Sequence, residues 1–349
     1  MTVMNVIAEI NKVIYKPLMC RNLQTVSFEN IERDFYSNGS FLLEVDSKNQ
    51  FGVSWWVSAK RTRSYPYARV YDTLSFSGKK VTIIPIFKDE GSQGDRDFIQ
   101  WDTISLMSLL QVYVIIGHYD SAVKSQRYDQ KITKQRFDME DIKVQLEDLI
   151  TFQSDALHWN LLQADKAAIT ATKALASYRE ISKNTGVSMH SEVTVLNRIE
   201  DISLGAESFK RLSRNNAISA QYRESSTVQP HENVNPNEKA SLTIQNYLGG
   251  QYFFTADEAR IIGNRLSLVE CKHTSKGILP SAGDVKDGLL KMVLFTNLEN
   301  VFVNQKSYEP CAILKLTSSS RRTFESTRLY KDLLEEAKTN NFHLLVSCL

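Results

Sequence analysis

Two carboxylates and an amine in the C-terminal third of the chain have types and spacing suited to phosphate-ester hydrolysis. Asp257 lies upstream of the triplet Glu270-Cys-Lys272. Carboxylates that lie close together repel, and each becomes easier to protonate unless a cation lies between them. Mg²⁺ takes one or two carboxylates and keeps several waters, which leaves positions for a phosphate oxygen and a nucleophilic water. Lys272 would orient or deprotonate that water and offset charge on the phosphate.

The elements that must position these groups are two short strands joined by a tight turn. Gly263-Asn264 separates two runs rich in apolar and β-branched residues, and Gly-Asn suits the positive-φ positions of a two-residue hairpin turn. Such a turn places Asp257 directly opposite Glu270. Facing residues have Cβ atoms about 4.5–5.5 Å apart, and side chains repeat on one face every second residue. Lys272 therefore shares the face of Glu270, and the three charges are predicted to converge.

This arrangement resembles the PD-(D/E)xK nuclease superfamily, whose motif is an acidic residue, a variable gap and Asp/Glu-x-Lys at the end of a strand. Position 256 is Ala where the family name has proline. After Lys272 come a loop, a helical pattern from 284 to about 298 and an apolar strand at 311–316. Strand, strand, helix, strand is the order of the superfamily core. We therefore expect an α/β fold with a restriction-endonuclease-like mixed sheet core flanked by helices, and a largely helical middle region.

The resemblance implies a Mg²⁺-dependent, sequence-specific double-stranded DNA endonuclease similar to type II restriction enzymes. Asp257 and Glu270 are then the metal ligands, and together with Lys272 they are the catalytic residues that direct a metal-activated water onto phosphorus. Enzymes of this kind commonly act as homodimers on palindromic sites. A companion DNA methyltransferase that protects the same sequence is also expected, because unprotected DNA in the same cell would be cut.

Several alternatives remain open at the level of sequence. Glu258 replaces Asp257 as the first metal ligand if the turn shifts the register by one residue. Asp257 and Glu270 can also be hairpin surface charges with Lys272 as their salt-bridge partner, in a non-catalytic DNA-binding protein with a decayed core. A third alternative is a phosphohydrolase centred on the acidic loop at 89–102.

That acidic loop follows a predicted strand at 81–86. A polar stretch at 88–97, a helix at 101–110 and an apolar strand at 112–118 come next, and this order predicts a parallel strand pair. Ligand sites of parallel sheets lie at the carboxyl ends of strands. Asp95 and Asp97 are therefore either solvated loop residues or a second acidic site, which would bind a second metal ion or the amino groups of bases.

Charge is balanced overall, with 42 Lys and Arg against 40 Asp and Glu and a formal net charge of +2. A general polycation is excluded, so any DNA contact must come from local patches. Basic residues next to aromatic ones form two such candidate patches, although a stretch of this kind is more often a solvated rim than a DNA groove: Lys60, Arg61 and Arg63, and Lys210 with Arg211.

The length of 349 residues allows one large core or two ordinary ones. We predict an N-terminal mixed α/β region at 1–80 with a role in DNA recognition. A βαβ unit, a long helical region and a polar linker fill 81–245, and the nuclease core occupies 246–349. The four cysteines are widely spaced, which indicates neither zinc nor disulfides. No signal-peptide pattern or membrane-length apolar run is evident, so a cytoplasmic protein without membrane association is expected.

Overall fold

The computed structural model describes residues 4–60, 64–205, 207–209, 211, 238–246, 251–274, 279–318 and 327–348. Within them the chain is mixed α/β. It divides into two compact units, a C-terminal unit of Met1–Asn22 with Arg214–Leu349 and a central unit of Leu23–Ser213. Among the helices of these ranges, none combines the length and the apolar character that a membrane crossing needs.

The strands follow in chain order: β1 (Met4–Glu9), β2 (Thr25–Ser27), β3 (Ser40–Glu44), β4 (Gln50–Trp55), β5 (Lys79–Pro85), β6 (Phe87–Asp89), β7 (Arg96–Phe98), β8 (Val112–Gly117), β9 (Tyr119–Lys124), β10 (Ile132–Phe137), β11 (Glu238–Gln245), β12 (Gln251–Ile262), β13 (Arg265–His273), β14 (Glu299–Val303), β15 (Lys306–Ser318) and β16 (His343–Cys348).

The α-helices of the described residues are α1 (Ile31–Asp34), α2 (Pro66–Thr73), α3 (Trp101–Leu109), α4 (Met139–Thr151), α5 (Ala156–Asp165), α6 (Ala167–Thr185), α7 (Val193–Ser203), α8 (Ala282–Phe295) and α9 (Arg328–Thr339). Short 3₁₀ turns at Phe28–Asn30 and Phe35–Ser37 flank α1.

The C-terminal unit contains a mixed sheet with the strand order β13-β12-β11-β1-β14-β15-β16, and β13 also pairs with β15. The β12–β13 and β14–β15 pairs are antiparallel hairpins, whereas β13–β15 and β15–β16 are parallel. Helix α8 packs against β13 and β15 and buries Val285, Leu289 and Met292 completely. The predicted order of strand, strand, helix, strand is present, with β14 as an additional strand before β15.

Strand β1 makes the unit boundaries differ from the predicted ones at 80 and 245. It pairs in parallel with β11 and in antiparallel fashion with β14, so the N-terminal segment belongs to the same sheet as the Glu270-Cys-Lys272 strand. Residues 23–80 instead share a unit with the region after position 81. The predicted division at 1–80, 81–245 and 246–349 therefore needs correction, because pairing between strands more than 200 residues apart leaves no local sequence pattern.

The central unit contains a five-stranded sheet with the order β2-β3-β4-β5-β8, in which β4, β5 and β8 run parallel. The parallel pair predicted for the strands on either side of α3 is thus confirmed as β5 and β8. The stretch at 88–97 is not simply a loop, since β6 and β7 pair there as a small hairpin. The long helical region predicted within 81–245 contains α4, α5 and α6. Most of the predicted polar linker lies outside the described residues.

Candidate functional site

The hairpin β12–β13 has the register that the sequence predicts. Gly263 has φ of +61° in the two-residue turn. The favoured hairpin turns need a positive φ at their first central residue, and glycine adopts such a φ without strain. Ile262 pairs with Arg265, and the ladder continues to Glu258 and Val269. Asp257, next along the strand, accepts a 2.7 Å hydrogen bond at Oδ2 from the backbone N–H of Cys271. The hairpin therefore brings Asp257 to the end of the strand that carries Glu270.

Glu270 is a buried carboxylate with a lysine on each oxygen. Its exposed fraction is 2%. Oε1 lies 3.0 Å from Lys272 Nζ, and Oε2 lies 2.6 Å from Lys291 Nζ. Burial on its own disfavours the charged form, but the two ammonium groups outweigh it and lower the pKa of Glu270 below its ordinary value. Glu270 is consequently a fixed negative charge in the core of the C-terminal unit.

Helix α8 supplies the other charges of this cluster. Its start is fixed by a capping box, in which Ser281 accepts from the backbone N–H of Asp284 and Asp284 accepts from that of Ser281. Asp287 and Lys291 lie four residues apart and so share one helix face. Asp287 Oδ2 contacts Lys272 Nζ at 2.7 Å. The charges thus alternate along a chain of contacts from α8 to β13 and back to α8.

Asp257 and Lys272 have pKa values that their surroundings shift in the same direction. Burial, followed by repulsion from Glu270, raises the pKa of Asp257 to about 7. Burial acts against the charged form of Lys272, but attraction from Glu270 and Asp287 is stronger and raises its pKa above the ordinary lysine value. Lys272 is therefore an ammonium at neutral pH, which suits a group that donates hydrogen bonds and does not suit a proton acceptor.

Glu258 lies on the opposite face of β12. Its Oε1 contacts Lys315 Nζ of β15 at 2.6 Å and the Cys271 sulfur at 3.6 Å. The alternation of side chains along a strand explains this separation. The structure places Asp257, and not Glu258, in the charge cluster around Glu270.

The donor set at this place suits a hard cation that keeps most of its water. Within the described ranges, no group of three or more His, Cys, Asp or Glu side chains could hold a metal ion. Asp257 and Glu270 nevertheless repel one another strongly enough to contribute to the raised pKa of Asp257. A divalent cation would relieve that repulsion, and two protein carboxylates are a common ligand number for Mg²⁺. Each oxygen of Glu270 already lies beside a lysine ammonium, so a cation bound there would lie next to a positive charge that repels it.

The acidic loop of the central unit has structural partners for much of its charge. Asp89 is buried and accepts from His190 Nδ1 at 2.8 Å, and Glu90 lies between the ammonium groups of Lys88 and Lys131 at 2.8 and 2.9 Å. Of the two residues proposed as a second acidic site, Asp97 accepts a 2.7 Å hydrogen bond from the Ser58 hydroxyl.

Asp95 is exposed, and its backbone carbonyl accepts a hydrogen bond from the backbone N–H of Glu90. These contacts fit a well-anchored hairpin.

The two candidate basic patches are only partly within the described residues. Lys60 and Arg211 are exposed. Arg211 donates a 3.4 Å hydrogen bond to the Ser208 hydroxyl. Arg61, Arg63 and Lys210 lie outside the described residues.

Lys291 and Asp287 are the members of the cluster that sequence reasoning missed. The signal for Lys291 is a single charge inside the otherwise apolar run Leu289-Leu-Lys-Met-Val-Leu-Phe295. A lysine in the middle of a buried helix indicates a carboxylate partner, because an unpaired buried ammonium is very costly. Asp287 carries no comparable signal.

Comparisons with protein-family models, curated proteins and solved structures gave no match to this chain.

Proposed function

We propose that the protein is a Mg²⁺-dependent endonuclease that cuts double-stranded DNA, similar to the PD-(D/E)xK nucleases that its Glu270-Cys-Lys272 triplet resembles. The observation that carries the proposal is the register of β12 on β13, which sets Asp257 beside the end of a strand where Glu270 is buried and Lys272 shares its face. Perturbed ionisable groups collected at the end of a buried strand are typical of an active site.

The residues of the cluster have separate roles in this proposal. Asp257 and Glu270 would hold the metal ion, which when bound polarises the phosphate and makes water a better nucleophile. Lys272, kept charged by Glu270 and Asp287, orients the attacking water and offsets negative charge on the phosphate. Asp287 holds the Lys272 ammonium from the side of α8. The acceptor of the water's proton is then a group other than Lys272.

Sequence recognition would fall to the central unit. Base-edge contacts require elements that reach into a groove, whereas phosphate contacts set position only. Lys60 and Arg211 are exposed cations of that unit and are candidates for phosphate contacts. A homodimer on a palindromic site and a protecting methyltransferase belong to the same proposal, since they follow from the resemblance to restriction enzymes.

Alanine variants of the acidic residues test this function. Asp257→Ala and Glu270→Ala should abolish cleavage of plasmid DNA in Mg²⁺ and leave DNA affinity equal or higher, because a lost carboxylate repels phosphate less. Glu258→Ala is the matched control, since Glu258 lies on the other face of the same strand and should be dispensable for cleavage. Full cleavage by Glu270→Ala would overturn the site assignment.

A second candidate function is a non-catalytic DNA-binding protein whose cluster only stabilises the fold. The observation in its favour is that both oxygens of Glu270 already have a lysine, the pattern of a structural ion-pair network. Such a protein would bind DNA equally well with and without Mg²⁺, and neither Mg²⁺ nor Mn²⁺ would support cleavage. A gel-shift titration beside a cleavage assay separates the two functions.

A further inference from the structure

Lys291 is the second positive partner of Glu270 in the cluster. Its Nζ lies 2.6 Å from Glu270 Oε2 and 3.2 Å from the backbone carbonyl oxygen of Thr255. The residue is 8% exposed. Both contacts are to oxygens, one of them anionic, and oxygen is the ligand type that Mg²⁺ and Mn²⁺ prefer.

The packing of α8 does not require an ammonium there. The positions one turn further along the same helix face are Leu294 and Phe295, both buried, so an apolar side chain of similar length at 291 would continue that apolar face. Burying a charge is costly unless it is paired, and Lys272 already gives Glu270 one positive partner. Lys291 therefore has an electrostatic role in addition to any packing role.

We infer that Lys291 is an internal substitute for the metal ion: it neutralises Glu270 in the metal-free protein and must be displaced when Asp257 and Glu270 take up a divalent cation. This inference rests on the proposed function, since it concerns the same metal site. Lys291 then sets the cation concentration at which the site fills, because every binding event includes breaking the Lys291–Glu270 ion pair. When the cation is absent, the ammonium of Lys291 compensates the negative charge of the buried Glu270 carboxylate.

Mn²⁺ binding to the full chain without DNA tests the inference, with free Mn²⁺ followed by electron paramagnetic resonance. Lys291→Met should bind Mn²⁺ about tenfold more tightly than the wild type, because binding no longer has to break the Lys291–Glu270 ion pair. A tenfold change in affinity corresponds to about 1.4 kcal/mol. Lys291→Gln, which retains a hydrogen-bond donor without the charge, should also bind Mn²⁺ more tightly than the wild type. Lys315→Met is the control, because Lys315 pairs with Glu258 on the other face and should leave Mn²⁺ affinity unchanged.

A measurement on the wild-type protein avoids dependence on whether a variant folds. Reductive methylation followed by mass spectrometry should modify Lys291 faster when Mn²⁺ is bound, with Lys315 as the internal reference. The inference would be overturned if Lys291 were methylated at the same rate with and without Mn²⁺. It would also be overturned if folded Lys291→Met bound Mn²⁺ no more tightly than the wild type.

Failure of this inference differs from failure of the proposed function. Wild-type protein that binds Mn²⁺ and cuts DNA while Lys291→Met binds Mn²⁺ no more tightly contradicts only the role of Lys291. If wild type and Lys291→Met both fail to bind Mn²⁺ and no DNA is cut, the metal site itself is wrong, and both proposals fall.

Discussion

Glu270 shows at the level of single residues why a buried charge cluster has two interpretations. Removing one partner of a buried ion pair usually destabilises a protein more than the intact pair stabilises it, so such a pair is weak evidence of a stabilising role. A site that must bind a cation faces the same cost whenever the cation is absent. Two lysines on one carboxylate offset that cost in the metal-free protein.

Lys272→Arg tests whether the position and shape of this ammonium matter beyond its charge. The Lys272 stem is packed closely against α8, since a Cβ at Gly288 would lie 3.3 Å from Lys272 Cε. A planar guanidinium cannot take the place of the compact ammonium between Glu270 and Asp287. Single-turnover cleavage should fall by at least about 100-fold, the scale for losing one positioned donor.

Lys315→Arg is the control for that experiment, because its ion pair with Glu258 is partly exposed and on the other face. It should cleave at close to the wild-type rate. A near-normal rate for Lys272→Arg would assign Lys272 a structural role only.

Asp257→Asn tests the raised pKa of Asp257, which burial and then repulsion from Glu270 produce, through the pH dependence of stability. The pKa of Asp257 is raised to about 7, above its unfolded value, so the folded state holds this proton more tightly. The contribution of Asp257 to the free energy of unfolding of the wild type must then decline as pH rises towards 7. The variant has no titrating group at position 257, so its free energy of unfolding lacks this decline. In EDTA, the free energy of unfolding of Asp257→Asn relative to wild type should increase by about 1–2 kcal/mol between pH 5 and 8.

Denaturant unfolding at several pH values measures this difference. At pH 8, added Mg²⁺ should raise the free energy of unfolding of the wild type by more than it raises that of Asp257→Asn. A difference in free energy of unfolding between the two proteins that does not change with pH would contradict the raised pKa of Asp257.

At the level of secondary structure, the hairpin was predictable and the helix contacts were not. The positions of Asp257, Glu270 and Lys272 follow from turn length and strand alternation alone, which are local. Lys291 reaches Glu270 only because α8 lies on β13 and β15 with a particular rotation about its axis. That rotation depends on the fit of many side chains and not on a local pattern.

Gly288→Ala tests how closely α8 must approach the sheet. A Cβ there would lie 2.8 Å from Leu314 Cδ1 of β15, so the helix or the leucine must move. Although alanine favours a helix over glycine by about 1 kcal/mol, overpacking should dominate and lower the free energy of unfolding by about 1–3 kcal/mol. Cleavage should also fall, since Lys272 shares the contact.

Leu314→Val removes the atom nearest to the new Cβ and provides the control. The double variant should be less destabilised than the sum of the two single changes, as expected for residues in direct contact. Strict additivity, measured by urea unfolding, would contradict the close approach.

At the level of the whole molecule, the N-terminal strand is part of the C-terminal unit. Val6 of β1 is 1% exposed and pairs with Leu242 and Val303, whereas its neighbour Ile7 is 52% exposed. The alternation of apolar residues could predict a strand here, but not that β1 lies between β11 and β14. The fragment 246–349 lacks both β1 and β11, which lie between β12 and β14 in the sheet, so it should not fold alone.

Val6→Asp should therefore destabilise the C-terminal unit by at least about 3 kcal/mol, because it buries a charge without a partner. Ile7→Asp is the matched control and should have a small effect. Hydrogen exchange should show lost protection in β11, β12 and β13 for Val6→Asp only. Retained protection in those strands would mean that β1 does not belong to this sheet.

Sequencing of the DNA ends that the purified protein produces tests the central proposal most directly. Wild-type protein and Glu270→Ala are each incubated with double-stranded DNA of mixed sequence, once in Mg²⁺ and once in EDTA. The proposal predicts discrete ends at one short sequence, made by wild type in Mg²⁺ and absent both in EDTA and with Glu270→Ala. No discrete ends from wild type in Mg²⁺ or Mn²⁺, or the same ends from Glu270→Ala, would contradict it.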